Sequence, residues 1–490
     1  MKNTNYITTI GLEIHLQLNT KTKAFCGCAN EFGREPNTNV CPVCLGLPGS
    51  LPALNIEYLK YAIRAALALN CDIAEVMKFD RKNYFYPDLP KNYQISQFDM
   101  PLSLGGYVEV AVSDSVKRIG ITRVHMEEDA GKLIHDENKP FSYIDFNRCG
   151  TPLLEIVSEP DIVSPDEAYA YLTTLKAILE YLGISDCNMQ EGSLRCDANI
   201  SIRPPDQKEL NPKVELKNMN TFKGVRQALE YEEARQMKLF SSGKSTIQET
   251  RLWDADRKAT EPMRAKEEAH DYRYFPEPDL PRFNIDRELI RGIERDLPEM
   301  PDEKRRRFIK DYYISEYDSS CLVSDKAMAE YFEECLALFG DNQKNDNAKI
   351  VANWLMGDIS RYLNSKNLEF KALREITSPK NLFHMLRLID KGTISGKIAK
   401  DILPEMLSTG KSAEDIVKSK GLTQITDQAE VEQFAEEVIT ENQKVADDYI
   451  AGKDKALGFL VGALMKKTKG KANPQLANDI LKKKLKRENG

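Results

Sequence analysis

Four cysteines lie close together near the start of the chain and could hold a metal ion. Cys26 and Cys28 form one pair, and Cys41 and Cys44 form a second pair after twelve intervening residues. Two such pairs joined by a short loop can bring four thiolates into the tetrahedron of a structural Zn²⁺ site, although the first pair is more tightly spaced than usual. Four sulfur ligands leave no coordination position for a substrate. The pattern therefore predicts a structural zinc knuckle.

Acidic residues in strand-like or apolar sequence form the second group that could do chemistry. Glu13 and His15 are two positions apart in an alternating segment, so they project from the same face of a strand. A carboxylate in such sequence is costly to bury unless it is paired or bound to a metal. The other acidic residues of this group are Glu127, Glu128, Glu155, Asp197 and Glu215. Clustered, these groups would bind Mg²⁺ and position a nucleotide's phosphates; the alternative is that each forms a separate ion pair with a lysine or arginine.

Several familiar nucleotide-binding and nucleophile motifs are absent from the sequence. Two Gly-Lys-Ser triplets begin at Gly243 and Gly410, but Lys238 and Glu405 stand where a P-loop requires its first glycine. Neither the Gly-x-Gly-x-x-Gly fingerprint nor the Gly-x-Ser-x-Gly elbow occurs. Any ATP chemistry must therefore use the acidic site, and any glutamine hydrolysis must take place on another chain.

The elements that must position these groups fall into three regions. Up to about Pro281 the sequence is rich in alternating apolar and polar residues, and strands are expected around 12–18, 108–112 and 197–203. Ser164 begins a helix, because it is followed by a first-turn proline and a capping-box glutamate, and Gly183 ends it. Beyond the proline-rich segment 275–281, helices are expected around 325–339, 348–363 and 381–390. The fold class is therefore α+β, followed by a helical region and a small helical tail.

Length and composition are those of a multidomain globular protein rather than a membrane or disordered chain. The chain has 490 residues, of which 41% are hydrophobic and 30% charged. No apolar run approaches the roughly 20 residues that span a bilayer, and the first residues alternate where a signal peptide would be continuously apolar. We therefore expect a cytoplasmic protein without membrane contact, in which the ten cysteines are metal ligands, buried thiols or catalytic groups rather than disulfides.

The distribution of charge differs sharply between the body and the C-terminal end. The whole chain carries −7, which alone argues against nucleic-acid binding. From Lys466 to Gly490, however, nine basic residues stand against two acids, so this tail carries +7 and the rest of the chain −14. A solvated helix is one explanation of the tail, and contact with nucleic-acid phosphates is the other.

Long motifs in a fixed order resemble one family, the B subunits of the tRNA-dependent aspartyl/glutamyl-tRNA amidotransferases. The resemblance covers nearly the whole chain. The motifs that carry it include Ile10-Gly-Leu-Glu-Ile-His-Leu16, Phe79-Asp-Arg-Lys-Asn-Tyr-Phe-Tyr-Pro-Asp88, His125-Met-Glu-Glu-Asp-Ala-Gly-Lys132, Gly150-Thr-Pro-Leu-Leu-Glu-Ile-Val-Ser-Glu-Pro-Asp161, Glu191-Gly-Ser-Leu-Arg-Cys-Asp-Ala-Asn-Ile-Ser201, His270-Asp-Tyr-Arg-Tyr-Phe-Pro-Glu-Pro-Asp279 and Lys469-Gly-Lys-Ala-Asn-Pro-Gln-Leu476.

The resemblance implies an ATP-dependent kinase and transamidase. Such a protein phosphorylates the side-chain carboxylate of Glu on tRNA(Gln), or of Asp on tRNA(Asn), and ammonia then displaces the phosphate to give the amide. The implied partners in a heterotrimer are an amidase (the A subunit), which supplies the ammonia, and a small bridging protein (the C subunit). The implied fold is a large antiparallel-sheet cradle domain over 1–295, a helical domain over 296–410 and a basic helical tail domain for tRNA over 411–490.

The resemblance also implies roles for particular residues. Glu13, His15 and Glu128 would hold Mg²⁺, and Glu127 and Glu155 would help to place the ATP phosphates. Asp197 and Glu215 would complete the catalytic site, and the four cysteines would hold Zn²⁺. The tRNA-binding residues would be Lys466, Lys467, Lys469 and Lys471.

Two other functions remain open at this point. One is a non-catalytic tRNA-binding scaffold, in which the acids form ordinary ion pairs. The other is a metal-dependent phosphoesterase that works alone, which the lack of a recognisable base and nucleophile disfavours. The sequence leaves open whether Glu-tRNA(Gln), Asp-tRNA(Asn) or both are substrates. It also assigns no role to six scattered cysteines, Cys71, Cys149, Cys187, Cys196, Cys321 and Cys335.

Overall fold

The computed structural model describes residues 6–112, 115–136, 139–263, 272–340, 343–422, 428–468, 472 and 474–485. The chain folds into two compact units, Met1–Pro301 and Asp302–Gly490. Among the described residues, none of the helices combines the length and the apolar character needed to cross a membrane.

The first unit holds the strands and the earliest helices. Its strands are β1 (Ile7–Gln17), β2 (Asp72–Ile73), β3 (Val76–Met77), β4 (Asp80–Asn83), β5 (Tyr93–Ser96), β6 (Ser103–Leu104), β7 (Tyr107–Val112), β8 (Ser115–Glu128), β9 (Lys132–His135), β10 (Ser142–Asp145), β11 (Pro152–Ser158), β12 (Leu194–Arg203), β13 (Val214–Lys217), β14 (Glu249–Asp254), β15 (Ala259–Pro262), β16 (Phe275–Pro276) and β17 (Phe283–Asn284). Its helices are α1 (Ile56–Ala68), α2 (Pro165–Leu182), α3 (Phe222–Ser241) and α4 (Arg287–Arg295).

A ten-stranded sheet organises this unit. Its order is β15-β14-β13-β12-β1-β11-β8-β6-β2, and β7 pairs with β8. The pairings are antiparallel except between β13 and β14, which run parallel. A parallel pair needs a crossover, and α3 lies between these two strands in the chain. The α+β prediction is confirmed, but the sheet is mixed rather than wholly antiparallel.

The central strand β1 shows why the sheet has one apolar and one polar face. Its residues alternate strictly between buried and partly exposed positions. Ile10, Leu12, Ile14 and Leu16 are at most 1% exposed and lie in the core with residues of α1, α2 and α3. The remaining positions, which include Glu13 and His15, lie on the opposite face. The strands expected around 12–18, 108–112 and 197–203 are found as β1, β7 and β12.

The helix expected after Ser164 is α2, and both of its ends follow the sequence signals. The Ser164 hydroxyl accepts a hydrogen bond from the Glu167 backbone N–H, which satisfies one of the free donors of the first turn. Gly183 adopts the left-handed conformation with φ 67°, which glycine tolerates without steric cost. Between these caps, apolar residues of α2 pack onto the sheet and complete its core.

A small three-stranded sheet, in the order β16-β4-β5, also belongs to the first unit. Its central strand β4 pairs antiparallel with β5 on one side and with β16 on the other. Arg81 on β4 donates two hydrogen bonds to the buried carboxylate of Glu277, at 2.7 and 2.8 Å. This bidentate pair holds the segment after β16 against β4, although the two are nearly 200 residues apart in the sequence.

The second unit is helical throughout its described residues. Its α-helices are α5 (Pro301–Tyr312), α6 (Glu316–Val323), α7 (Lys326–Ala337), α8 (Lys344–Trp354), α9 (Ser360–Ser365), α10 (Leu373–Ile376), α11 (Pro379–Asp390), α12 (Gly396–Thr409), α13 (Ala413–Lys420), α14 (Gln428–Glu441), α15 (Gln443–Ile450), α16 (Lys455–Lys467) and α17 (Pro474–Lys484). A π-helical turn, Leu355–Ile359, joins α8 to α9, and a 3₁₀ turn, Phe370–Ala372, precedes α10. The helices expected around 325–339, 348–363 and 381–390 are therefore present.

The last four helices share a core of their own. Residues from Val431 to Leu485, contributed by α14 to α17 and the segments between and after them, form one buried cluster. The preceding helix α13 packs instead against α11 and α12. The division into domains at 295/296 and 410/411 stays a prediction, and α13 lies on the C-terminal side of its second boundary.

We predict that Ile14→Ala strongly destabilises the first unit. Ile14 is fully buried at the centre of the sheet, so its truncation loses transfer free energy and leaves a cavity, at a cost of about 2–5 kcal/mol. Each unit contains one tryptophan, Trp253 or Trp354. In a Trp354→Phe background, urea unfolding can therefore be followed by the fluorescence of Trp253 alone, which is buried in the same core.

The control for this prediction is Val116→Ala, because Val116 lies in β8 with 63% of its surface exposed. Its free energy of unfolding should change by no more than about 0.5 kcal/mol. Equal effects of the two substitutions would contradict the assignment of the β1 apolar face to the core.

Candidate active site

A row of titratable side chains crosses the polar face of the large sheet at its centre. In the strand register, His15 on β1 lies opposite Glu155 on β11, and Glu155 lies opposite His125 on β8. The His15 Nε2 atom is 3.5 Å from Glu155 Oε2, and the His125 Nε2 atom is 3.4 Å from the same oxygen. One carboxylate therefore bridges two imidazoles from neighbouring strands.

Two further carboxylates complete this cluster around His15. Glu13 Oε1 lies 3.6 Å from His15 Nε2, and Glu127 Oε1 lies 3.7 Å from it. Possible ligand atoms of Glu13, His15 and Glu155 lie within 4.8 Å of one another, and the same is true of His125, Glu127 and Glu155. We call these five residues the carboxylate–imidazole cluster. The structure thus brings together four of the residues predicted from the sequence and adds His125.

The electrostatics of the cluster reflect crowded negative charge in a buried place. Burial and then repulsion by Glu155 raise the pKa of Glu13. Burial would raise the pKa of Glu155, but His125 and His15 outweigh it and hold this pKa well below its usual value. Burial would lower the pKa of His15, but its bond to Glu155 and the charge of Glu127 raise it. The cluster therefore attracts positive charge, from a proton or from a cation.

Lys82 is a functional candidate that the sequence reasoning missed. It lies on β4, with its ammonium 5.0 Å from the centre of the Tyr272 ring. Burial would lower its pKa, but the charges of Glu127 and then of Tyr274 and Glu155 raise it. Among the described residues, no carboxylate lies within ion-pair distance of this ammonium. Lys82 is therefore a cation beside an acidic cluster, and its ammonium could bind an anionic group of a ligand.

His125 could have been found from the sequence, whereas Lys82 could not. His125 precedes Glu127 by two residues in a strand-like segment, so the same alternation that grouped Glu13 with His15 places both on one face. Lys82 reaches the cluster because β4 pairs with β5 and β16, and no local pattern reveals these pairings.

Asp197 and Glu215 lie beside the cluster and share a cation of their own. Asp197 on β12 is opposite Glu13 in the register. The Lys217 ammonium is 2.8 Å from Asp197 Oδ2 and 3.1 Å from Glu215 Oε1, and the Thr250 hydroxyl donates to the other Glu215 oxygen at 2.8 Å. Asp197 and Glu215 therefore form ion pairs with a lysine, which the sequence left open as the alternative to binding a metal.

Glu128 lies apart from the cluster, and its grouping with Glu13 and His15 as a Mg²⁺ ligand stays a prediction. Successive residues of a strand point to opposite faces, so the Glu128 side chain leaves β8 on the side away from Glu127. Its carboxylate pairs with Lys91 and accepts a hydrogen bond from the Ile95 backbone N–H at 2.9 Å. It lines a small cavity together with Cys44 and Gly150.

Asp129 and Arg195 continue the polar face on the other side of His15. Arg195 is opposite His15 in the register, and its Nη2 lies 2.8 Å from Asp129 Oδ2. Gln17 donates a hydrogen bond to the same oxygen at 2.7 Å. Burial would raise the pKa of Asp129, but Arg195 and then Arg148 lower it. The charges on this face are thus arranged in neighbouring groups of opposite sign.

The four cysteines of the predicted knuckle come together as expected from their spacing. One sulfur from each of Cys26, Cys28, Cys41 and Cys44 lies within 4.8 Å of the other three. A hydrogen bond from Cys26 lowers the pKa of Cys44 to about 5, helped by the charge of the buried Lys23, whose ammonium lies 3.8 Å from the Cys44 sulfur. Gathered thiols, one of them favoured as a thiolate, fit the ligand set of a structural Zn²⁺ ion.

The predicted tRNA-binding lysines are only partly within the described residues. Lys466 and Lys467 end α16, and the Lys467 ammonium lies 2.7 Å from carboxylate oxygens of both Glu437 and Glu441 on α14. Lys469 and Lys471 lie outside the described residues. The role of all four stays a prediction.

Comparisons with known proteins extend over nearly the whole chain. Residues 8–291 match the family model of the GatB/GatE catalytic domain, and residues 330–485 match the model of the GatB domain. A curated protein of Carboxydothermus hydrogenoformans, named as the B subunit of an aspartyl/glutamyl-tRNA(Asn/Gln) amidotransferase, is 56% identical over 98% of this chain and 99% of its own length. Proteins of the same name from a Thermoanaerobacter species and from Moorella thermoacetica are 55% and 52% identical, over 98% of this chain and 99% and 100% of their own lengths. The chain therefore belongs to the GatB family of amidotransferase B subunits.

Proposed function

We propose that this chain activates the side-chain carboxylate of Glu on tRNA(Gln), of Asp on tRNA(Asn), or of both, and then amidates it. In the first step a carboxylate oxygen attacks the γ-phosphorus of ATP, and ADP leaves. In the second step ammonia attacks the acyl carbon, and inorganic phosphate leaves. The observation that carries the proposal is the carboxylate–imidazole cluster beside the ammonium of Lys82, within the region that matches the catalytic-domain family model.

The residues of this face suit phosphoryl transfer because that reaction depends mainly on positioning and charge. Lys82 would bind oxygens of the transferred phosphoryl group and offset the negative charge that gathers there. Arg195, opposite His15 in the register, is paired with Asp129 and keeps positive charge at the edge of the site. No covalent nucleophile from the protein is needed, because the attacking oxygen belongs to the substrate.

The carboxylate–imidazole cluster fits a divalent cation. Burial and then repulsion by Glu155 raise the pKa of Glu13. A cation between the carboxylates would relieve this repulsion, and carboxylate oxygens are the ligands that Mg²⁺ prefers. Glu13, His15 and Glu155 would hold the ion, with Glu127 beside them. When bound, Mg²⁺ supplies positive charge that neutralises phosphate oxygens. The Lys217 pair leaves Asp197 and Glu215 to shape the edge of the site rather than to bind the ion directly.

The proposal also covers the partner subunits, the contact with tRNA and the cellular location. The curated relatives are named as B subunits, so we infer an assembly in which an amidase supplies ammonia as the A subunit and a small C subunit bridges the two. The basic end of the chain would contact the tRNA backbone. Because aminoacylated tRNA and ATP are the substrates, we expect the protein to act in the cytoplasm.

The two competing functions account less well for the cluster. A tRNA-binding scaffold has no need of three carboxylates around one imidazole, since burying them without a ligand is costly. A phosphoesterase acting alone is disfavoured because the chain belongs to a family of amidotransferase B subunits.

We predict that Glu155→Gln abolishes amide formation and tRNA-dependent ATP hydrolysis while leaving tRNA affinity intact. The substitution keeps the volume of the side chain but removes the charge shared by His15 and His125, so the rate should fall about a hundredfold or more. The assay uses the chain co-purified with its amidase partner, with Glu-tRNA(Gln) and Asp-tRNA(Asn) in separate reactions.

Glu109→Gln is the matched control, because Glu109 forms a surface ion pair with Arg118 at 2.9 Å and should affect neither rate. Unchanged ATP hydrolysis in Glu155→Gln would favour the scaffold. Wild-type protein that forms neither amide would refute the proposal.

We predict that the four-cysteine knuckle holds about one Zn²⁺ per chain and that Cys41→Ser removes most of it, because a serine hydroxyl is a poor replacement for a thiolate ligand. Zinc content can be measured by mass spectrometry of the purified protein. Cys321→Ser, at a half-buried cysteine outside the knuckle, should retain full zinc content. Equal zinc content in all three proteins would contradict the site.

We predict that replacing Lys466, Lys467, Lys469 and Lys471 by glutamine weakens tRNA binding and makes it less dependent on salt. Each lysine in contact with a phosphate contributes about 0.7–0.9 to the slope of log affinity against log salt, because binding releases a counterion. Filter binding over a range of salt concentrations measures the slope. Lys60→Gln, which alters a lysine of the first unit paired with Glu57, is the control. An unchanged slope in the quadruple variant would show that this end of the chain does not contact the tRNA backbone.

A further inference from the structure

Phe98 and Tyr274 form a stacked aromatic pair to which the proposed reaction assigns no role. Their ring centroids are 4.4 Å apart and their planes differ by 7°. Phe98 is 60% exposed, although one face of its ring lies against Tyr274. The other face is therefore open to solvent. Single exposed apolar residues are common, but a flat ring held parallel to a second ring is a ready surface for another planar group.

The backbone holds both rings in place from the two sides of β4. Phe98 follows β5, and its backbone N–H donates a hydrogen bond to Asp80 Oδ2 at 3.0 Å. Tyr274 immediately precedes β16, whose residue Phe275 is opposite Arg81 in the register. Because β4 lies between β5 and β16, the pair is fixed by the same small sheet that carries Lys82. Strand pairing on both sides of β4 therefore positions the two rings.

The pair is connected to the cationic part of the candidate active site. The Tyr272 ring lies 6.1 Å from the Tyr274 ring, and the Lys82 ammonium lies 5.0 Å from the Tyr272 ring. Burial raises the pKa of Tyr274, and the charge of Lys82 opposes this shift, which places the Tyr274 hydroxyl within the electrostatic reach of the site. The open face of Phe98 and the ammonium of Lys82 thus lie close together. A ligand with both a nucleobase and phosphates needs such a combination.

We propose that the open face of Phe98 stacks on an adenine ring. The proposal rests on the proposed function, because that reaction brings two adenines to the site: the base of ATP and the 3′-terminal adenosine that carries the amino acid on tRNA. Stacking suits either source, since it uses the flat face of the base and needs no pattern of donors and acceptors. Phe98 would then be a binding residue for the base, while Lys82 meets the charged part of the ligand.

The test compares Phe98→Ala with wild type in two binding assays on the full chain. Equilibrium dialysis measures the affinity for ATP and for inorganic triphosphate, which has the charge but lacks the base. Filter binding measures the affinity for tRNA with and without its 3′-terminal adenosine. We expect Phe98→Ala to weaken the binding of one adenine source by about five- to 150-fold and to leave binding of the matching ligand without adenine unchanged. Which source is weakened identifies the adenine.

Two further variants separate stacking from a general loss of structure. Phe98→Trp keeps a flat aromatic face and should retain affinity. Phe141→Ala is the matched control, because Phe141 is 55% exposed and contacts Tyr143 edge-to-face rather than in a stack; it should change neither affinity. Unchanged affinity of Phe98→Ala for both adenine sources would overturn the proposal, as would an equal loss for ATP and triphosphate without a change in the tRNA assay.

The outcome for Phe98 can be separated from the outcome for the proposed function. If wild type forms the amides and Phe98→Ala binds both adenine sources normally, the reaction stands and the stacking site does not exist. If wild type forms neither amide, the proposed function fails, and with it the reason for expecting adenine here.

Discussion

The alternation of side chains across one large sheet is the constraint on which the rest of this structure depends. β1 lies at the centre, with every second residue in an apolar core and every other residue on the opposite face. Because a sheet can bury one face in a core and leave the other polar, the same strand contributes both to stability and to chemistry. A shift of register by one residue would exchange the two faces, so the apolar residues that hold β1 in place also fix Glu13 and His15 on the polar side.

Charges on the polar face are tolerated because groups of opposite charge lie beside them. His15 and His125 lie against Glu155, Lys217 lies between Asp197 and Glu215, and Arg195 lies against Asp129. Removing one member of a buried pair leaves an uncompensated charge, which is strongly destabilising. The acids around His15 differ from the others because three carboxylates surround one ring, and this excess of negative charge is what makes the cluster suited to a metal.

Strand β8 connects the carboxylate–imidazole cluster with the neighbourhood of the cysteine knuckle. Glu127 points into the carboxylate–imidazole cluster, while Glu128, the next residue, faces a small cavity that Cys44 also lines. The Tyr58 hydroxyl lies 2.8 Å from the backbone carbonyl oxygens of both Glu127 and Leu153, so it can donate to either and ties β8 to β11. One residue of β8 therefore belongs to the cluster, and the next lies beside the knuckle cysteine Cys44.

The sequence by itself determined the local features: the period of β1, the caps of α2, the pairing of cysteines in the knuckle and the contrast between an acidic body and a basic end. These follow from short-range physics, because strand period, capping and ligand spacing depend on residues only a few positions apart. It also grouped Glu13 with His15 and identified Glu155 as an acid that needs a partner. The family resemblance went further and placed Glu127 with them.

Only the tertiary structure decided which of these groups meet. The register of β1 with β11 and β12, strands more than a hundred residues away, set the neighbours of His15, and the pairing of β4 with β16 brought Lys82 and the Phe98–Tyr274 stack to the site. Contacts of this kind depend on how distant strands are aligned, and no local pattern in the sequence contains that information.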